Sequence, residues 1–148
     1  MSLQDSIMVA IKSAMKSKNT VALTALRSVK SAILIAQTSG SGSIMSEEDE
    51  FRLLQKLVKQ RHDSAKIFSE QNRSDLAEPE LAEAEVISRF LPQMLDVSEV
   101  EKVVVDTITL LGASGMKDMG RVMGVVSKSL AGKTDGKTIS TLVKAKLS

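Results

Sequence analysis

Residues 46–68 read SEEDEFRLLQKLVKQRHDSAKIF, and this stretch decides the fold class. Phe51, Leu54, Val58, Arg61, Ala65 and Phe68 recur at steps of three and four, with Leu57 beside them. That spacing marks one face of a helix, not the every-second-residue alternation of a strand. Ser46 with Asp49 three residues on forms a capping-box-like pair, and Glu47, Glu48 and Glu50 suit the positive end of a helix dipole. The spacing therefore predicts a long helix starting at Ser46.

The same period extends outward in both directions. Upstream, Leu3, Ile7, Ile11, Ala14 and Met15 form one stripe; Ala22, Leu26, Val29, Ile33 and Ala36 form a second, after a start at Asn19-Thr20. Ser39-Gly40-Ser41-Gly42-Ser43 stops the pattern and reads as a flexible loop. Downstream, a helix is predicted from about Asp75 or Glu78 to Phe90, with Pro79 in its first turn, where a missing N–H costs nothing. Leu91-Pro92 ends it. Ser98 and Glu101 are predicted to box the start of a helix ending near Leu111, with Gly112 as its stop. Two more helices are expected, from about Met116 to Leu130, closed by Gly132, and from about Asp135 to Leu147. No stretch sustains alternation. The expected fold is all-α: a four-helix N-terminal part over residues 1–93, then a three-helix C-terminal subdomain over 96–148.

Composition narrows the chemistry. The chain has 148 residues, 43% hydrophobic and 26% charged, an ordinary balance for a globular protein. The absence of cysteine excludes disulfides, thiolate nucleophiles and cysteine-ligated metals, and one histidine excludes His-rich metal sites. Aromatic residues are 2%, only Phe51, Phe68 and Phe90, which argues against folds that stack bases on aromatic platforms. The longest apolar runs, such as Ala32–Ala36, are far short of the roughly 20 residues that span a bilayer. Met1–Lys18 is amphipathic, serine-rich and poor in acid, as an organellar transit peptide is, yet it lacks arginine and reads better as a first folded helix. The expected location is the cytoplasm, with no membrane partner, metal or cofactor.

Charge is segregated along the chain. Residues 1–46 carry five cations and one acid; residues 47–95 carry seven cations and eleven acids. Residues 96–115 carry one cation and four acids; residues 116–148 carry seven cations and two acids. At about 100° per residue, Lys117, Arg121 and Lys128 fall within about 40° of one another, opposite Met119, Val122, Met123, Val126 and Leu130. Lys133, Lys137 and Lys144 cluster likewise, opposite Ile139, Leu142 and Val143. Any amphipathic helix puts lysines outward, but two adjacent triplets with little acid are how a fold presents charge to an anionic polymer. Arg61 differs, because it sits at an apolar-periodic position; the reading there is an interhelical ion pair with Glu80, Glu83 or Glu85.

Other motifs reduce to structure. Gly132-Lys133-Thr134 imitates a phosphate-binding loop, but Ser127 stands where the first glycine belongs and a helix, not a strand, precedes it. Gly112-Ala113-Ser114-Gly115 offers free N–H groups for an anion, although a helix stop followed by a start explains it equally. Met116, Met119 and Met123 read as core packing. His62 and Asp63, as helix neighbours, point about 100° apart and cannot act as base and orienter. No catalytic constellation emerges; Ser–Lys chemistry stays formally open, with no segment suggesting it.

The chain resembles the GatB/YqeY family over nearly its whole length. The resemblance is carried by Leu26–Ala32, by Lys59–Ser64 with Phe68, by Arg73–Ala77 and by Glu85–Gln93. It continues in Gly112–Ser114, Met116–Gly120 and Gly132–Lys137, of which the last two are the specific motifs. It implies an all-helical protein of two parts. It also implies a C-terminal part similar to the tail of the B subunit of the aspartyl/glutamyl-tRNA amidotransferase and to a module of some glutaminyl-tRNA synthetases, which contact tRNA. Carried over by position, Lys117, Arg121, Lys133 and Lys137 would meet phosphates, and Lys128 and Lys144 extend the RNA-binding set. Phe90 departs from the family's usual Tyr, and Pro79 from a usually charged helix start. The expected function is a tRNA-associated accessory protein, with tRNA and an amidotransferase or aminoacyl-tRNA synthetase as partners, not catalytic alone. The alternatives are a protein-binding helical adaptor and a glutamine-dependent carbon–nitrogen ligase role.

Overall fold

A computed structural model describes residues 2–39 and 44–148. The described residues form seven α-helices and one 3-10 turn, with no strand among them. Helix α1 is Leu3–Lys16, α2 Thr20–Thr38, α3 Glu47–Glu70, α4 Ser74–Ser88, α5 Val97–Leu111, α6 Met119–Ser129 and α7 Gly136–Leu147; the 3-10 turn Met116–Asp118 runs into α6. The all-α expectation holds. The loop expected at Ser39–Ser43 lies, beyond Ser39, outside the described residues. The chain divides into two compact units, Met1–Leu91 and Pro92–Ser148.

In the first unit, α3 packs chiefly on α4, and α2 packs on α1 and α4. The core gathers the stripes read from the sequence: Ile7, Ile11 and Ala14 from α1, Leu26, Val29 and Ile33 from α2, Leu54 and Leu57 from α3, and Ile87 from α4. Met15 is the exception on α1, 56% exposed, because it stands at the edge of the stripe. Ser46 caps α3 as a complete box, its hydroxyl oxygen accepting from Asp49 N at 3.1 Å while Asp49 Oδ2 accepts from Ser46 N at 3.2 Å. A short connection turns α3 back into α4, with Asn72 in the left-handed region at φ 59°, which asparagine tolerates. Arg73 then grips Asp75 in the first turn of α4 through two hydrogen bonds of 3.0 and 2.9 Å.

Two boundaries differ from the sequence reading. Helix α4 starts at Ser74, so exposed Pro79 lies inside it rather than in the first turn, and no N–H reaches back toward Asp75. Helix α5 is boxed by Asp96 and Glu99, not Ser98 and Glu101. Both pairs match the pattern; the chain enters the helix two residues earlier, and the Ser98 hydroxyl donates to Asp96 Oδ1 at 2.6 Å.

The second unit closes on Val100, Val104, Val122, Val126, Leu130, Ile139, Val143 and Leu147. Met119 and Met123 pack against it, as expected of core methionines, whereas Met116 is 44% exposed. Its connections are tightly built. Gly112 at φ 61° ends α5, and Gly132 at φ 78° turns the chain after α6. The Lys133 carbonyl accepts from Leu95 N at 2.8 Å, Thr134 is buried, and Asp135 caps α7 through Thr138 N at 2.7 Å. The specific motif Gly132–Lys137 is thus, in its backbone and caps, the joint of this unit.

Candidate functional site

The six cations read from the sequence all lie on the surface of the second unit. Lys117 is on the 3-10 turn, Arg121 and Lys128 are on α6, Lys133 is in the connection, and Lys137 and Lys144 are on α7; every one is exposed. Their positions follow from the core: with Val122, Val126, Val143 and Leu147 buried, the opposite faces of α6 and α7 must carry what water tolerates.

Their electrostatics are uneven. Arg121 is engaged, its Nη2 donating to the Leu111 carbonyl at 3.2 Å and lying 3.5 Å from Asp118. It clips the end of α5 to α6, a structural role that the spacing alone did not reveal. Lys117, Lys128, Lys133, Lys137 and Lys144 form no ion pair among the described residues. A seventh cation, Lys146, pairs with Glu101 at 2.7 Å and ties α7 to α5. The surface of this unit is not purely basic: Met116, next to Lys117 in the chain, and Val125 (41% exposed), between Arg121 and Lys128, are uncovered, as is Leu110 near the end of α5 (82%).

The other candidate motifs are satisfied internally. The Ser114 N–H, which the sequence offered to an anion, donates to Asp118 Oδ2 at 2.9 Å. His62 is exposed beside Asp63, whose carboxylate takes Lys59 at 2.7 Å. Arg61 meets the expectation of an interhelical pair: its Nε lies 3.7 Å from Glu83 Oε1, joining α3 to α4. Burial pushes the Glu83 carboxyl above the usual range, against the opposing pull of Arg61. What sequence reading missed is the third partner, the Ser28 hydroxyl on α2, which accepts from Arg61 Nη2 at 2.6 Å. Only its place inside the motif Leu26–Ala32 hinted at a role.

Known proteins correct part of the reading. The chain is 33% identical to the altered inheritance of mitochondria protein 41, mitochondrial, of Clavispora lusitaniae, over 86% of this chain and 74% of that one. It is 30% identical to the protein of the same name from Pyrenophora tritici-repentis, over 83% and 68%, and 29% identical to that of Saccharomyces cerevisiae, over 90% and 75%. These names speak of mitochondria and their inheritance. They overturn the expectation of a cytoplasmic protein, and with it the tRNA-associated accessory role, which nothing in them carries. The absence of a spanning run says nothing against an organelle: among the described residues no helix is long and apolar enough to cross a membrane, and that is all it means. The family resemblance, in contrast, holds over the whole fold. A family model of Yqey-like protein matches residues 4–147, both helical units included, and the chain belongs to the YqeY-like family.

Proposed function

We propose that this chain works by binding rather than by catalysis, and that the exposed face of its second unit holds an acidic protein surface. The observation that carries the reading is the mixture on that face. Lys117, Lys128, Lys133, Lys137 and Lys144 stand without ion-pair partners among the described residues, and Met116 and Val125 are uncovered close to Lys117 and Lys128 in the chain. Unpaired cations attract an anionic partner. Exposed apolar side chains add nothing to phosphate contact, but they form the desolvated centre of a protein interface within a polar rim. The relatives' names make mitochondria the setting in which the partner is sought.

Crosslinking in a mitochondrial extract, treated with nuclease, tests this. Wild-type protein and the triple variant Lys117→Glu, Val125→Ser, Lys128→Glu are compared for the proteins joined to α6. A partner with an acidic surface should be captured by the wild type and lost by the variant, with unchanged helicity. Capture that persists in the variant, or that disappears with nuclease alone, refutes the reading.

A further inference from the structure

In the first unit, α1 and α2 form an antiparallel hairpin closed by Ser17, Lys18 and Asn19. Gln4 on α1 donates to Gln37 on α2 at 3.3 Å, and Met8 lines a shallow dimple together with Lys30 and Leu34. Along the same side of α1, Lys12 and Met15 follow Met8 at steps of four and three; on α2, Arg27, Lys30 and Leu34 stand at steps of three and four. All six side chains are exposed, whereas Ile7, Ile11, Val29 and Ile33 of the same two helices are buried. The hairpin thus turns one apolar face to the core and a second, part apolar and part basic, to solvent. The proposed function, which concerns the second unit, leaves this face unused.

Its sign is positive. Lys12, Arg27 and Lys30 form no ion pair among the described residues. Asp5, the one acid in residues 1–46, stands a turn before Met8, but its carboxylate is held in the cap of α1, accepting from the Ser2 hydroxyl at 2.8 Å and from Ser2 N at 3.2 Å. Glu47 and Glu50 lie by Ser6, which points about 160° away from Met8 around α1. The helix dipoles do not change the sign, because the two axes run in opposite directions with their ends side by side. The hollow beside Arg89, where α1, α2 and α4 meet, faces helix ends of both signs and selects no charge.

We propose that this face lies against an anionic lipid bilayer. Cations and apolar side chains mixed along one helical surface are what an interfacial site needs: Met8, Met15 and Leu34 enter the boundary between headgroups and acyl chains, while Lys12, Arg27 and Lys30 meet the lipid phosphates. The long basic side chains keep their charge at the headgroups while their methylenes cover apolar surface. A partner protein would need a pocket for an anchoring side chain. The dimple between α1 and α2 holds about 60 Å³, against roughly 150 Å³ for a hollow that takes a benzene ring. Two helices side by side offer a bilayer the broad surface it requires without such a pocket. The expectation of no membrane partner rested on the lack of a spanning run, which bears on crossing a bilayer and not on lying against one.

The test uses the full chain in co-sedimentation with vesicles of phosphatidylcholine and phosphatidylglycerol, two to one, and with vesicles of phosphatidylcholine alone. The chain should bind the anionic vesicles at least tenfold more tightly than the neutral ones. The triple variant Lys12→Glu, Arg27→Glu, Lys30→Glu should lose that binding, and Met8→Ser, Leu34→Ser, which keeps every charge, should weaken it at least fivefold. Matched reversal on α3, Lys56→Glu, Lys59→Glu, Lys66→Glu, should leave it unchanged. A readout that needs no charge variant is Met8→Cys, the sole cysteine of the chain, carrying an environment-sensitive fluorophore: its emission should shift to the blue with anionic vesicles and stay fixed with neutral ones. Equal binding to both vesicles, retention by the first triple variant, or an unmoved label would overturn the proposal. So would binding of polyglutamate or tRNA through Lys12, Arg27 and Lys30 with the vesicles left free, which would assign the face to an acidic protein or to RNA.

Discussion

Arg61 on α3 donates to the Ser28 hydroxyl on α2 at 2.6 Å, and this bond joins two helices that otherwise touch little. The same guanidinium donates to the Leu57 carbonyl at 3.1 Å and lies 3.7 Å from Glu83 on α4, so one side chain fastens three helices. Its Nε is buried with no hydrogen bond, an orphan donor held only by the charge of Glu83.

Replacing Arg61 by Met should therefore destabilise the first unit by about 3 kcal/mol. That is the low end of the roughly 3–5 kcal/mol for breaking a buried pair, because both side chains keep some exposure. The double variant Arg61→Met, Glu83→Leu should recover most of the loss, since no charge is then left buried. Urea unfolding of the three proteins measures it; a single variant within about 0.5 kcal/mol of wild type, as at an ordinary surface site, would show that the pair does not hold the helices.

Glu83 also sets a pH dependence. Burial raises its carboxyl, with Arg61 opposing and Glu80 adding to the rise. Its folded value lies above the unfolded one, so the folded state holds the proton more tightly. The stability it contributes is full below the unfolded carboxylate range and is lost as pH rises through the folded value. Glu83→Gln, which cannot ionise, should flatten stability between about pH 4 and 6 relative to wild type. An unchanged slope in unfolding midpoints across that range argues against a raised carboxyl.

The caps of the second unit respond in the opposite sense. Hydrogen bonds from Thr138, hydroxyl and N–H together, hold the Asp135 carboxyl below its usual range, with Lys137 assisting. A depressed folded value means stability present above the unfolded value and lost as pH falls through the folded one. Asp135→Asn keeps the cap without the titration. It should retain more helical circular dichroism than wild type below about pH 3.5, where an unperturbed aspartate protonates.

Two glycines on α6 lack any steric reason within the unit. A Cβ at Gly120 or Gly124 meets nothing within 4 Å. Each Gly→Ala change should raise stability by about 0.8–1.0 kcal/mol, the helix-propensity difference. Gly112→Ala is the contrast: space is equally open, but φ is 61°, so that change should destabilise. Thermal unfolding separates the signs.

Pro79 inside α4 gives a further measure. Pro79→Ala restores an N–H to face the Asp75 carbonyl and should stabilise by about 1–3 kcal/mol, given the roughly 3 kcal/mol cost of an interior proline. Destabilisation on this substitution would place the proline outside the regular helix.

Much of the fold was legible because its signals are local. Ser46–Asp49 capped α3 where the pattern put it, and Gly112 ended α5 with the left-handed turn that its position announced. Legibility failed where two local signals competed: Asp96–Glu99 and Ser98–Glu101 are equal on paper, and the path of the entering chain chose between them. It failed for the candidate site because exposure can be read from periodicity, whereas freedom cannot. Arg121 and Lys128 look alike on the wheel, yet Arg121 is bound to the Leu111 carbonyl ten residues back.

The sequence by itself determined that the chain is helical, where its helices run and which faces are apolar, because periodicity and caps act within a few residues. It also carried the family, through motifs read in order. The tertiary structure alone decided that Arg61 takes Ser28 as well as Glu83, that Lys146 pairs with Glu101 across α7 and α5, and that α1, α2 and α4 leave a hollow beside Arg89. Those relations depend on how side chains from separate helices meet, and no spacing along one helix encodes the partner that another brings to it.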